Sequence, residues 1–243
     1  MHKLRTSLLA TAALAALSVA AIPAEAADMD IMKAPPPAPA FSWTGLYLGV
    51  NAGWGNSHMS TQGFLPSGAP TSFNTGSANV SGIIFGGQLG YNWQFAPQWV
   101  VGIEGGIDGT GMNGFDYPAG CCFMWSKVDA LASVTGRIGF TGWDPRTMIY
   151  AKGGWAWVQN QYMFSYGLNT TEQQGGWTVG AGIEWSPTFA PNWSFFAEYD
   201  YYGFGNHSTA VFGSSRTPSS AAINQSINTV KVGVNYRFSF LGR

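Results

Sequence analysis

Charge is scarce in this sequence. Only 9% of its 243 residues are Asp, Glu, Lys or Arg, against roughly a quarter in an average soluble domain. A water-facing surface with so little charge is poorly protected against association. A basic face for nucleic acid has nothing to be built from. Cysteine is nearly absent as well: Cys121 and Cys122 stand side by side, which excludes a disulfide framework. A bond between such neighbours is strained, and intermolecular bonding or free thiols are the alternatives. Beyond the first 26 residues the histidines are His58 and His207, so no metal site is expected and weak haem contact is a minor alternative. Past the N-terminus no apolar run is long enough for a helical span, so any membrane crossing must be made by strands.

The N-terminal run is of another kind. Lys3 and Arg5 precede an uncharged Ala- and Leu-rich stretch over 8–22, and Ala24-Glu25-Ala26 has the small-x-small form of a cleavage site. This is a secretory signal peptide over 1–26, too short and Ala-rich for a span. The whole sequence carries eleven basic and twelve acidic residues; removing Lys3, Arg5 and Glu25 leaves nine and eleven, a formal charge of −2. Residues 27–42 contain Ala34-Pro35-Pro36-Pro37-Ala38-Pro39 and read as an extended periplasmic tail. The expected barrel domain covers 43–243.

What the chain has in abundance is glycine, 33 residues, and aromatics, 15%. They sit in stretches of alternating character. In Val230-Lys231-Val232-Gly233-Val234-Asn235-Tyr236-Arg237-Phe238 every even position is apolar or aromatic and every odd one is charged, Asn or Gly. A strand of that pattern is greasy on one face and polar on the other. Strands are expected over 44–57, 82–95, 99–111, 128–141, 147–160, 175–186, 193–205 and 227–238. Three connections are short and carry Pro, Asp or Asn; four, near 58–81, 112–127, 161–174 and 206–226, are long and polar. Short turns at one end and long loops at the other are the asymmetry of outer-membrane barrels. The expected fold is all-β, an eight-stranded antiparallel transmembrane barrel of the outer-membrane type.

Parity gives an independent line. Glu104 with Asp108, Asp129 with Arg137, Glu198 with Asp200, and Lys231 with Arg237 are pairs of equal parity, so each pair faces one side. Lys152 and Glu184 oppose the apolar set of their strands. These ten residues form the expected lumen charge network. Eight strands leave an interior just wide enough for side chains to fill. A salt-bridged plug is one reading, and a narrow cation-preferring path lined by inward glycines is the other. Glu198 and Asp200 are a carboxylate pair of the kind used in acid–base chemistry, but the chain offers no accompanying nucleophile or oxyanion donor, and no enzyme is expected. Trp43, Trp93, Trp99, Trp143, Trp185 and Trp193 fall beside the tail and the short turns and are expected as a membrane-interface girdle.

The opening Phe41-Ser42-Trp43-Thr44-Gly45-Leu46-Tyr47-Leu48-Gly49-Val50-Asn51-Ala52-Gly53-Trp54-Gly55, with Gly86-Gly87-Gln88-Leu89-Gly90-Tyr91-Asn92-Trp93, Gly136-Arg137-Ile138-Gly139, Ala151-Lys152-Gly153-Gly154-Trp155-Ala156 and the closing Val232 to Phe238, resembles the porin-like outer-membrane immunogenic proteins of alphaproteobacteria. The resemblance implies an envelope structural or surface-antigen role. It also implies that a C-terminal aromatic is read by the barrel-assembly machinery, with Tyr236, Phe238 and Phe240 as candidates; the sequence departs from such proteins by continuing to Arg243. The expected function is a structural outer-membrane barrel and surface antigen without cofactor. The alternatives are a small porin and a loop-borne binder of haem or a host ligand, the latter because Tyr117, Phe123, Trp125, Tyr162, Phe164 and Tyr166 fall in or near the loops. Expected partners are outer-membrane lipid, lipopolysaccharide and the assembly machinery, with the protein itself a monomer.

Overall fold

Nine strands run in chain order, β1 (Gly45–Phe64), β2 (Pro70–Ala96), β3 (Trp99–Thr110), β4 (Asn113–Asp116), β5 (Met124–Asp144), β6 (Thr147–Phe164), β7 (Asn169–Trp185), β8 (Trp193–Phe212) and β9 (Pro218–Phe238). The structure is a computed structural model that describes residues 41–65, 67–116, 124–164, 169–212 and 218–238. The signal peptide, the tail through residue 40, Cys121, Cys122, Tyr117, Phe123, Tyr166 and Phe240 lie outside the described residues. Each strand pairs antiparallel with its neighbours, and β1 pairs with both β2 and β9, which closes the sheet into a barrel. β3 and β4 occupy one place in the wall, both between β2 and β5. The barrel is therefore eight-stranded, with one strand interrupted at Gly111 and Met112.

Alternation along each strand separates outside from inside. Ile103 is 68% exposed and Val232 58%, whereas Asp200 between lipid-facing Tyr199 and Tyr201 is fully buried. Exposed apolar side chains on so many strands have no water-compatible explanation and form a lipid-facing belt. On β9 the outward run from Asn228 to Tyr236 has about the 9–11 residues that a tilted strand needs to cross a bilayer. Trp93, Trp99, Trp143, Trp185 and Trp193 are all exposed beside the short turns. Register pairs bring them against other rings: Trp99 lies tilted on Phe140 at 5.1 Å and Trp193 meets Tyr236 edge-on at 5.1 Å. Tyr236 in turn meets Phe238 edge-on at 5.0 Å. Trp54, Trp157, Trp177 and Tyr201 stand toward the other end of the belt.

The turns follow from local chemistry. At the β5–β6 turn Asp144 accepts from the Arg146 amide at 3.3 Å and from the Thr147 hydroxyl at 2.8 Å, the Asx pattern that substitutes for backbone pairing.

The segments expected as long loops differ from that expectation. β1 has 20 residues, β2 27 and β9 21, far more than a bilayer requires, and the polar stretches continue the ladder as Gly63↔Ala221 and Thr209↔Ala221 show. Above the lipid the outward face meets water, so the outward apolar residues disappear although the backbone goes on pairing.

Candidate functional site

The side chains that point inward make the site. They come from alternate positions of every strand, and they fill the barrel in three layers along its axis.

The first layer stands at the short-turn end. Trp43, expected in the interfacial girdle, is instead fully buried inside this mouth. Its indole Nε1 donates to the Pro145 carbonyl at 2.9 Å and its backbone N–H to Gln94 Oε1 at 2.9 Å. Val100, Met148 and Tyr150 pack around it, with Phe41 against it edge-on at 5.2 Å. The reason is topological: Trp43 precedes the first paired residue of β1, so strand parity does not govern it and the chain turns inward across the opening. Phe41, assigned by sequence to the tail, therefore belongs to the barrel. The guanidinium groups of Arg146 and Arg237 each lie 4.7 Å from its ring centre. Arg237, expected among the lumen charges, stacks here and donates to the Pro191 carbonyl at 2.7 Å.

The second layer is ionic. Arg137 reaches Glu104 at 3.5 Å and Glu184 at 3.2 Å, and its Nε donates to Asn92 Oδ1 at 2.8 Å. The rings of Tyr47 and Tyr150 flank its guanidinium at 4.6 and 5.2 Å, so cation–π contact supplements the ion pairs. Those tyrosines also donate, Tyr47 to Glu104 at 2.7 Å and Tyr150 to Glu198 at 2.9 Å. Lys152 contacts Glu104, Glu198 and Asp200 at 3.3, 3.0 and 3.2 Å. Lys231 contacts Asp108, Glu198 and Asp200 at 3.2, 3.2 and 3.1 Å. Glu184 also accepts from Ser194 at 2.5 Å and Asn235 at 2.9 Å, and Gln88 carries the chain on from Asn235 to Asn51. Eight of the ten residues picked from parity thus meet in one continuous network. Arg237 is at the mouth and Asp129 is elsewhere: the register shifts between Val128 and Ala130, and Asp129 pairs with Lys127 at 2.8 Å. A bulge adds one residue and reverses parity beyond it, which is why the parity count misplaced Asp129.

The third layer, toward the long-strand end, is apolar. Met59, Ile84, Met112, Val128, Leu131, Val158, Phe204 and Ile227 are buried in one cluster inside the barrel. Among them Gln225 accepts from the Asn160 amide at 2.8 Å and donates to the Ser57 hydroxyl oxygen at 3.1 Å. Sequence reasoning sought charges and so missed this layer, along with Tyr47, Tyr150, Asn92 and Asn235. The same parity rule applied to uncharged residues locates them.

The inward glycines act as sockets for neighbouring side chains. A Cβ on Gly90 would overlap the Tyr47 hydroxyl, one on Gly182 would stand 2.6 Å from the Tyr150 ring, and one on Gly233 would overlap the Phe196 ring. Large neighbours already occupy the space that these glycines leave. Among the described residues no group of His, Cys, Asp and Glu has a metal-holding arrangement, and His58 contacts Asn79 at 2.8 Å on the outer wall.

The sequence matches the family described as outer membrane protein beta-barrel domain over residues 11–238. The chain belongs to that family. It is 31% identical to the 31 kDa outer-membrane immunogenic protein of Brucella melitensis, over 88% of this chain and 93% of that protein. It is 28% identical to the 25 kDa outer-membrane immunogenic protein of Brucella abortus, over 98% of this chain and all of the relative. Among solved structures, the outer membrane protein OprG from Pseudomonas aeruginosa overlaps with a TM-score of 0.48 at 12% identity, over 80% of this chain and 96% of that one. Family membership and the lipid-facing belt together make this a structural barrel of the outer membrane. In such barrels the short turns are periplasmic, so the Trp43 layer faces the periplasm and the extended strand ends stand outside the cell.

Proposed function

We propose that the protein works as a closed structural barrel and surface antigen, with no through-path and no catalysis. The observation that carries this reading is the stacking of three filled layers across one lumen: an aromatic stopper, an ion-pair network and an apolar layer. An ion entering from the long-strand end meets the apolar layer, and one entering from the short turns meets the Trp43 and Phe41 rings with the Arg146 and Arg237 cations stacked on them, before either reaches the ionic network, and conduction needs a hydrated or polar-lined route. Glu198 and Asp200, the carboxylate pair suited to acid–base chemistry, are held by Lys152 and Lys231, between layers that leave a substrate no approach. The relatives are named as immunogenic proteins, and the polar walls above the belt are the part of this chain that antibodies would meet. Its partners on this reading are outer-membrane lipid, lipopolysaccharide and, during biogenesis, the barrel-assembly machinery reading a C-terminal aromatic such as Tyr236 or Phe238. Closure leaves no sheet edge within the bilayer, consistent with a monomer.

Single-channel recording in planar bilayers tests the reading. Purified protein is expected to give no steady conductance. Reproducible, cation-selective openings would overturn the plug and establish a small porin instead.

A further inference from the structure

The amide relay that crosses the lumen has a direction. It starts at Glu184, whose carboxylate only accepts, so Asn235 turns its Nδ2 toward Oε1 at 2.9 Å. Asn235 Oδ1 then accepts from Gln88 Nε2 at 2.9 Å, and Gln88 Oε1 accepts from Asn51 Nδ2 at 2.9 Å. Each amide fixes the orientation of the next. The relay therefore ends on an acceptor, Asn51 Oδ1. Asn51 is 8% exposed, and this oxygen has no hydrogen-bond partner among the described residues.

A second such oxygen stands opposite. Asn51, Gly86 and Asp108 lie in one register row across β1, β2 and β3. A Cβ on Gly86 would overlap Asp108 Oδ1, so this oxygen leans over the middle strand toward β1. Asp108 is 5% exposed, and its Oδ1 is likewise buried without a hydrogen-bond partner. Its other oxygen takes the Lys231 ammonium at 3.2 Å, which also faces Glu198 at 3.2 Å and Asp200 at 3.1 Å. An ammonium has three N–H groups, and three carboxylates already share them. The remaining unpaired oxygens of the interior differ in kind: Thr135 and Thr229 carry a hydroxyl proton of their own, and Asp200 Oδ1 has Lys152 at 3.2 Å.

Two acceptors do not satisfy each other, and burying both unpaired is unfavourable. Only a species that is positive on both sides fits between them. Charge is unbalanced in the same direction. Inside the barrel Glu104, Asp108, Glu184, Glu198 and Asp200 stand against Arg137, Lys152, Lys231 and, at the short-turn mouth, Arg237. Five negative charges meet four positive ones, and a buried charge without a counterion is costly. The wall beside the two oxygens also has room. Gly53, Gly86 and Gly106 bring no side chain inward, Ser133 brings a short one, and all four are only half-buried. Gly106 pairs with Gln88 and Ser133, and a Cβ on it would meet nothing nearer than Ser133 Oγ at 3.5 Å.

We propose that Asn51 Oδ1 and Asp108 Oδ1, above Gly86, hold a partly hydrated alkali cation enclosed in the barrel. Hard cations take oxygen ligands of this mix, carboxylate, amide carbonyl and water. The ion carries a single charge, because a divalent one calls for a group of several carboxylates and the described residues hold none in a metal-holding arrangement. One positive charge also balances the interior. The site rests on the reading of the lumen as closed at both ends, which separates the ion and its few waters from the bulk. An ion held only by the closed barrel stabilises the folded state over the unfolded one.

The test uses the full-length protein, refolded from urea into detergent in sodium chloride or in choline chloride at equal ionic strength. Heat-modifiable gel mobility reports the folded barrel. The temperature at which the folded band disappears should rise with sodium and saturate, and stay flat with choline, which is too large for the site. Asp108→Asn removes the excess charge and supplies an amide donor, so its folded band should no longer respond to sodium. Should that variant fail to assemble, crystals of the unmodified protein refolded in thallium acetate decide. The thallous ion is a monovalent cation with a strong anomalous signal, and its peak should fall within coordination distance of Asn51 Oδ1 and Asp108 Oδ1. Equal behaviour in sodium and choline, an undiminished sodium response in Asp108→Asn, a response to calcium chloride but not to sodium, or no anomalous peak at that place would each overturn the proposal. None of these outcomes would open the barrel, so a silent bilayer recording keeps the closed-lumen reading standing when the ion fails. Steady openings would sink that reading instead.

Discussion

Lys152 on β6 and Asp200 on β8 are two strands apart, yet Nζ and Oδ1 stand 3.2 Å from each other. They share a register row with Gly180 of β7 between them, paired to both. A Cβ on Gly180 would collide with the Asp200 carboxylate. The missing side chain is what lets the two charges meet across the intervening strand, and the same device recurs at Gly86, which lies under the Asp108 carboxylate.

Gly180→Leu should therefore displace Asp200 and lower the temperature at which the folded gel band disappears on heating. Gly136 is the control, because it faces lipid with nothing within 4 Å of an added Cβ. Gly136→Leu should leave that temperature nearly unchanged. Equal effects would show that strand glycines matter for some reason other than lumen space.

Arg137→Met removes the cation shared by Glu104 and Glu184. Both carboxylates stay buried, and breaking such a group costs about 3–5 kcal/mol, to be read as a fall in the urea midpoint. Adding Glu184→Gln should recover part of the loss, since one stranded charge goes with it. A double variant as unstable as the sum of its parts would argue against direct coupling.

Val232→Arg puts a guanidinium on the lipid-facing side near the middle of the belt, at a cost of about 2–4 kcal/mol. Assembly, followed by heat-modifiable mobility, should suffer. Gly233→Arg, one residue away, acts differently, by crowding the Phe196 ring. Trimming that ring with Phe196→Ala should then relieve Gly233→Arg but leave Val232→Arg unimproved.

Trp43→Ala opens only the periplasmic layer. A cysteine placed at Met148, which packs on Trp43, should react with a water-soluble thiol reagent in this background and resist it when Trp43 is present. Bilayer recordings should remain silent in both, because the ionic and apolar layers above are intact.

Local chemistry was enough to locate much of this. Hydrophobic alternation placed eight strands, Pro and Asp marked the periplasmic turns, and charge parity brought Glu104, Arg137, Lys152 and Glu198 to one side. Those features depend on a period of two and on turn residues, which are properties of neighbouring positions in the chain. Tertiary structure decided what no local pattern encodes. Trp43 and Phe41 turn into the mouth because the chain ahead of β1 has no strand partner to hold it outside. Asp129 leaves the network because a bulge spends one residue of register. The polar stretches above the belt stay in the ladder because pairing is set by the neighbouring strand, not by hydrophobicity. The inward glycines are filled because Tyr47, Tyr150 and Phe196 reach over them from adjacent strands. Periodicity assigns a side chain to a face of the sheet; only the closed barrel determines which side chains from distant strands share the space behind it.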